Sequence, residues 1–182
     1  SFLNSVIYRL EAEETLRGRS YCPHCKHQLS WKDLFPVFSY LLLQGKCRYC
    51  KKIISWQYPA VEIALAILFV LIYMTTSLSG VKAMVDFIFL AYLFSSLLVI
   101  FVYDVKHFII PDKVLYPVIL VTLLYQLATN SNFFLYNTFW AALLASSFFA
   151  ALYFSSKGTW IGFGDVKLAI LLGLILGLPK LL

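Results

Sequence analysis

Charged residues make up only 13% of this 182-residue chain, against roughly 25% in average soluble domains. Length alone would allow one or two soluble domains, but that deficit, with 61% hydrophobic residues, excludes an ordinary water-soluble globule. Asp and Glu together number only nine, so a carboxylate inside an apolar stretch needs a reason. Glycine is limited to eight residues, none of them arranged as a cofactor loop of Rossmann type. No internal repeat or low-complexity segment stands out. No cleavable signal peptide is visible either, because residues 1–10 are too short and run straight into charge. The formal charge of +6 is not a nucleic-acid signal. Nine of the fifteen Lys and Arg lie between Arg9 and Lys52, and the other six flank breaks between apolar runs.

What is present is mostly hydrocarbon. Five apolar segments are read at 58–74, 84–103, 113–129, 133–155 and 166–182, each near the ~20 residues a bilayer span requires. Residues 1–8 read as the end of a further helix. The expected fold is an all-α polytopic membrane protein, a bundle of about six transmembrane helices with the first truncated. The chain lacks an initiating Met and both ends fall in apolar segments, so a longer gene product is expected. Three regions follow: 1–8 as the helix end, 9–57 as a polar four-cysteine domain, and 58–182 as the helical core. Positive charge favours the cytoplasmic side of membrane proteins. With the cysteine region inside, Lys106, Lys113, Lys157 and Lys167 fall at inside breaks, while Lys82 and Lys180 dissent. A bacterial inner-membrane location, with its polar domain in the cytosol, is expected.

All four cysteines lie in the polar region, as Cys22-Pro-His-Cys25 and Cys47-Arg-Tyr-Cys50. Two such knuckles can close a tetrahedral thiolate shell around zinc. A pair of disulfides or redox chemistry is the competing reading; disulfides would need an oxidising compartment, whereas the charge pattern places this region in the cytosol. Four thiolates leave no open position, so the ion is expected to be structural. His24 and His27 are read as solvated loop residues, with a competing role as ligands.

Among the acids, Glu11, Glu13, Glu14 and Asp33 belong to the polar region. Glu62 is placed in the first turn of an apolar helix, where the helix dipole favours it, and Asp86 faces an outside break. Asp104 and Asp165 remain, both at the cytoplasmic ends of membrane helices. Ionisable groups there are costly and mark functional sites. Two carboxylates brought together near lipid would share one proton; the charged one activates water and the neutral one polarises a peptide carbonyl. Gly162 and Gly164, in Gly-Phe-Gly-Asp165, allow close backbone approach, which suits an extended peptide. Interfacial helix caps are the plain alternative reading of the same two aspartates. Asp112, after Ile110-Pro111, suits a helix start.

Taken together, SFLNSVIYRL at 1–10, CPHC at 22–25, KCRYC ending at Cys50, YPAVE at 58–62, YDVKHFIIPD at 103–112 and GFGDVKLA at 162–169 resemble the type IV prepilin peptidase family. The resemblance implies a GxGD-type membrane aspartyl endopeptidase. It would cleave the basic leader of prepilins or pseudopilins at the cytoplasmic surface, with Asp104 and Asp165 catalytic and Asp112, Gly162 and Gly164 supporting. It also implies N-methylation of the new terminus with S-adenosylmethionine, whose site the sequence does not place. Membrane lipid is an expected partner and nucleic acid is not. Two rival readings are a proton or ion carrier built on Asp104 and Asp165, and a non-enzymatic zinc scaffold.

Overall fold

The computed structural model describes residues 2–16, 18–76, 80–129 and 132–178. Ser1, Arg17, 77–79, 130–131 and the last four residues, Lys180 among them, lie outside the described residues. Seven α-helices make up the described fold, with no strand: α1 (Phe2–Glu11), α2 (Phe38–Leu42), α3 (Gln57–Thr75), α4 (Val81–His107), α5 (Asp112–Thr129), α6 (Asn132–Ser155) and α7 (Phe163–Leu176). A short 3-10 turn over Trp31–Leu34 precedes α2.

The apolar runs dictate the long helices. α3 opens with Pro59 in its first turn, where a missing backbone donor costs nothing. At a rise of 1.5 Å per residue, α3 is roughly 29 Å long and α4 roughly 40 Å. Among the described residues three helices are long and apolar enough to cross a membrane, over Gln57–Thr75, Val81–His107 and Tyr136–Ser155. Their apolar side chains point outward: Ile67, Val70 and Leu71 of α3 and Phe139, Leu144 and Phe148 of α6 are exposed. Exposed hydrocarbon on that scale matches lipid as the solvent.

α7 departs from expectation. The segment read as continuous to 182 is interrupted at Gly177, whose φ is +69° while its N–H still reaches the Gly173 carbonyl; Leu178 is helical again, and 179–182 lie outside the described residues. A positive φ is cheap for glycine and ends helices.

The chain divides within α4 into two compact units, residues 1–99 and 100–182. In the first, α1 buries Leu3, Ile7 and Leu10, with Val61 of α3 also buried. The Asn4 side-chain amide donates to the Tyr58 carbonyl, 3.1 Å away, fastening α1 to the start of α3. The second unit buries Leu115 and Val118 of α5, Ala141 and Ala142 of α6, and Val166, Ala169, Leu171 and Leu174 of α7. Here α7 lies extremely close to α6: a Cβ on Gly173 would fall 2.4 Å from the Ala142 Cα. Such contacts between small residues are how helices associate in lipid. Gln126 of α5 adds a buried hydrogen bond to the Leu174 carbonyl at 2.9 Å.

Candidate functional site

The four cysteine sulfurs converge, all lying within 4.8 Å of one another. Cys22 and Cys50 Sγ are 3.9 Å apart, close to the ~3.8 Å edge of a tetrahedron with 2.3 Å zinc–sulfur bonds. Cys22 and Cys47 are buried and Cys25 is exposed.

The knuckles turn out to be two copies of one backbone motif, contrary to the reading that the chain has no internal repeat. Antiparallel bridges join Tyr21 to Gln28 and Lys46 to Ile53, in the same register relative to Cys22 and Cys47. In each copy the first cysteine's N–H reaches the carbonyl five residues on, from Cys22 to His27 (3.0 Å) and from Cys47 to Lys52 (2.8 Å). In each, the lysine after the second cysteine has positive φ, +56° at Lys26 and +59° at Lys51. Neither histidine joins the sulfur cluster; His27 stacks on Tyr49, ring centroids 3.7 Å apart, bridging the copies.

Burial acts to raise the Cys22 thiol, but backbone N–H groups of Cys25 and His24, together with neighbouring thiols, outweigh it and hold Cys22 at about 7. The Lys52 backbone acts to lower Cys50, yet burial and the other three thiols push it up to about 11. Crowded thiols cannot all ionise without a cation, and a bound metal supplies one.

Asp33, read as an ordinary loop acid, joins the pieces of this region. Its carboxylate accepts from the Ser30 hydroxyl at 2.8 Å, Arg48 Nε at 2.7 Å and the Tyr49 hydroxyl at 3.2 Å. Burial works to raise it, and the Ser30 and Arg48 bonds prevail, holding the carboxyl below its ordinary value. Glu62 differs from expectation too. It lies in the second turn of α3, not the first, and its Oε2 accepts the Val37 N–H at 2.8 Å. It thereby holds a bend where Val37 sits at φ +56°.

In the second unit, Asp104 lies one turn before the end of α4, and its carbonyl accepts the Phe108 N–H at 2.7 Å. Phe108 stands at φ +54°, an unfavourable conformation for a bulky residue, and it stops the helix. Asp165 is the third residue of α7, with Oδ2 accepting the Gly162 N–H at 3.0 Å; the helix-cap geometry is therefore real. Asp112 is the first residue of α5.

Two contacts gather the segments that carry these acids. Ile110 packs on Gly164 so tightly that an added Cβ would lie 3.0 Å from the Ile110 Cβ. The close approach at Gly164 is thus filled by the chain's own isoleucine. Lys167, read from sequence only as one of the cations at an inside break, donates to both Asp112 oxygens at 2.7 and 2.8 Å. It also stands 5.2 Å from the ring centroids of Tyr116 and Phe163. With Asp104 six residues from Ile110, chain geometry keeps it within about 15 Å of that contact.

A cavity of about 270 Å³ opens in the first unit, beside the cysteine knuckles and lined by residues that include Arg9, Tyr58 and Glu62. Sequence reading gave no sign of it, since its walls come from α1, both knuckles, α2 and the head of α3.

Comparison with known proteins extends over both units. Residues 1–76 match the Bacterial Peptidase A24 N-terminal domain, and residues 91–182 match the Type IV leader peptidase family. A prepilin leader peptidase/N-methyltransferase of Vibrio cholerae serotype O1 is 33% identical over 97% of this chain and 73% of its own length. Proteins of the same name from Bacillus subtilis and Klebsiella pneumoniae are 32% and 31% identical, over 90% and 97% of this chain and 63% and 80% of their own lengths. No solved structure matches. Because these matches take in the cysteine knuckles and the aspartate-bearing segments alike, the chain belongs to the type IV leader peptidase family.

Proposed function

We propose that this chain is a membrane aspartyl endopeptidase that removes the basic leader of type IV prepilin-like proteins, and that it also methylates the amine so exposed. The observation that carries the peptidase reading is the Ile110–Gly164 contact, which joins the segment after Asp104 to the turn that presents Asp165. Two helix ends held together in this way give two carboxyl groups a common neighbourhood at the membrane edge.

In this reading Asp104 and Asp165 share one proton. The ionised member takes a proton from water, whose oxygen attacks the carbonyl carbon of the scissile peptide. The neutral member hands its proton to the carbonyl oxygen. Proton return to the amide nitrogen then lets the carbon–nitrogen bond break. Neither a metal nor a covalent enzyme intermediate is required. The substrate is a single-span prepilin or pseudopilin, its apolar helix in the bilayer and its leader at the cytoplasmic surface, with the cysteine region on the same side.

The cysteine site is read as structural zinc. Four thiolates at these separations complete its preferred shell and leave no position for water. S-adenosylmethionine is the methyl donor in this reading.

Asp104→Asn and Asp165→Asn test the mechanism in proteoliposomes supplied with a prepilin. Each is expected to reduce leader cleavage by at least a thousandfold while the protein stays helical and membrane-inserted. Cleavage at the wild-type rate by either variant removes the aspartyl mechanism.

A further inference from the structure

Arg9 lies in the last turn of α1, buried, 6% exposed. Its guanidinium donates to the Arg19 carbonyl at 2.9 Å, and Gly18, at φ +120°, lies against its Nη2. Among the described residues no carboxylate pairs with it. Guanidinium keeps its charge at any ordinary pH and offers five donors. A buried cation without an anion is costly, and Arg9 lines the 270 Å³ cavity.

The same cavity carries both signs: Arg48 and Asp33, paired with each other at 2.7 Å, and Lys52 line it too. Glu62 and Tyr58 lie on its wall as well. Tyr8 and Tyr21 also line it, but their rings already receive Lys26, whose Nζ lies 5.7 and 4.9 Å from the two centroids. An anion-seeking guanidinium and a carboxylate with an aromatic face in one cavity suit a ligand bearing both charges. The volume is near the lower end of the roughly 300–1,000 Å³ typical of ligand clefts.

We infer that this cavity is the seat of the methyl donor, with Arg9 holding the carboxylate of its amino-acid end and Glu62 and Tyr58 facing its sulfonium. Aromatic faces and carboxylates both favour such a cation. When bound, the donor supplies a methyl group to the amine nitrogen: the new carbon–nitrogen bond forms as the carbon–sulfur bond breaks, sulfur keeps the electron pair, and the amine proton passes to water. The inference rests on the methylation reading and adds the location and its residues.

Calorimetry on the full chain in lipid nanodiscs tests it, with S-adenosylmethionine and S-adenosylhomocysteine as probes. Arg9→Gln is expected to weaken both by roughly ten- to a hundredfold, the worth of a charge-assisted pair. Arg9→Lys should retain part of the affinity. Leu43→Trp, which adds a large ring at the cavity wall and leaves Arg9 unchanged, should abolish binding, and it decides the matter if Arg9→Gln does not fold. Wild-type affinity in both Arg9→Gln and Leu43→Trp overturns the site while leaving methylation intact. A wild-type chain that neither binds these probes nor methylates a cleaved prepilin overturns the methylation reading, and the site with it. If vesicles of phosphatidylglycerol, and neither probe, stabilise wild type but not Arg9→Gln, the cavity holds a lipid headgroup and the proposal fails.

Discussion

Lys167 grips both oxygens of Asp112, at 2.7 and 2.8 Å, across 55 positions of sequence. The pair pins the first residue of α5 to α7 two residues beyond Asp165. Asp112 is half exposed and the lysine side chain is 17% exposed. Pairs so open to solvent couple by only about 1 kcal/mol or less, so stability alone does not explain the arrangement. Its consequence is positional, for it sets how the Ile110–Pro111–Asp112 strip lies against the turn bearing Asp165.

Lys167→Met is therefore expected to lower kcat for leader cleavage by roughly tenfold or more, with little change in melting temperature or in KM. The exchanged pair, Asp112→Lys with Lys167→Asp, should recover part of that loss. Equal loss in the single and exchanged variants would show that the ion pair does not position the strip.

Gly164 gives a steric counterpart. Its hydrogen faces Ile110 at a distance where a Cβ would sit 3.0 Å from the isoleucine Cβ. Gly164→Val must push the strip away, and overpacking of this kind costs roughly 1–3 kcal/mol. Cleavage should fall steeply. Gly164→Ala combined with Ile110→Gly, which removes the facing Cβ itself, should be milder than Gly164→Ala alone, as measured by cleavage rate on one prepilin. If trimming Ile110 brings no recovery, the contact is not what makes glycine necessary.

The four-cysteine cluster gives metal binding a pH signature. In the metal-free protein Cys50 is pushed up to about 11, so it must release a proton on binding at any neutral pH. One such proton makes affinity rise about tenfold per pH unit. Cys22, held at about 7, adds to this below neutrality and little above it. Zinc affinity measured by competition with a chelator should thus rise at least a hundredfold from pH 6 to pH 8. A flat profile would mean the thiols are not the ligands. Cys47→Ser should lower the bound metal below one ion per chain and expose residues 18–56 to protease.

Much of the fold could be read from hydropathy, and the misses have physical causes. The apolar runs located α3 through α6 to within a few residues, because a single apolar span satisfies its own backbone groups in lipid by forming a helix. α7 is interrupted because one glycine, Gly177, takes a positive φ that apolarity does not encode. The doubled knuckle escaped notice since its two copies share little beyond CxxCK, and the likeness lives in backbone hydrogen bonds. The convergence of four cysteines followed from spacing alone. Arg9 and Glu62 did not stand out: each looked like one more charge at the edge of an apolar run, and only folding turned both toward one cavity. Lys167 was similarly hidden inside GFGDVKLA, its significance set by Asp112 on a different helix.

Gly173 offers the sharpest test of the helical core. The Ala142 Cα and nitrogen would lie 2.4 and 2.6 Å from a Cβ placed there, so even alanine cannot enter without moving a helix. Neighbouring α6 contributes Ala141 and Ala142 to this contact, both buried. Gly173→Leu should prise α7 from α6 and lower the detergent melting temperature by several degrees. Because α7 starts with the turn that presents Asp165, cleavage should fall in the same variant even though its site of change is two helical turns away. Because the atoms met are α6 backbone, Ala142→Gly makes no room and should leave the effect of Gly173→Ala unchanged. If Gly173→Leu cleaves prepilin at the wild-type rate with an unchanged melting profile, α6 and α7 are not held together by this small-residue seam.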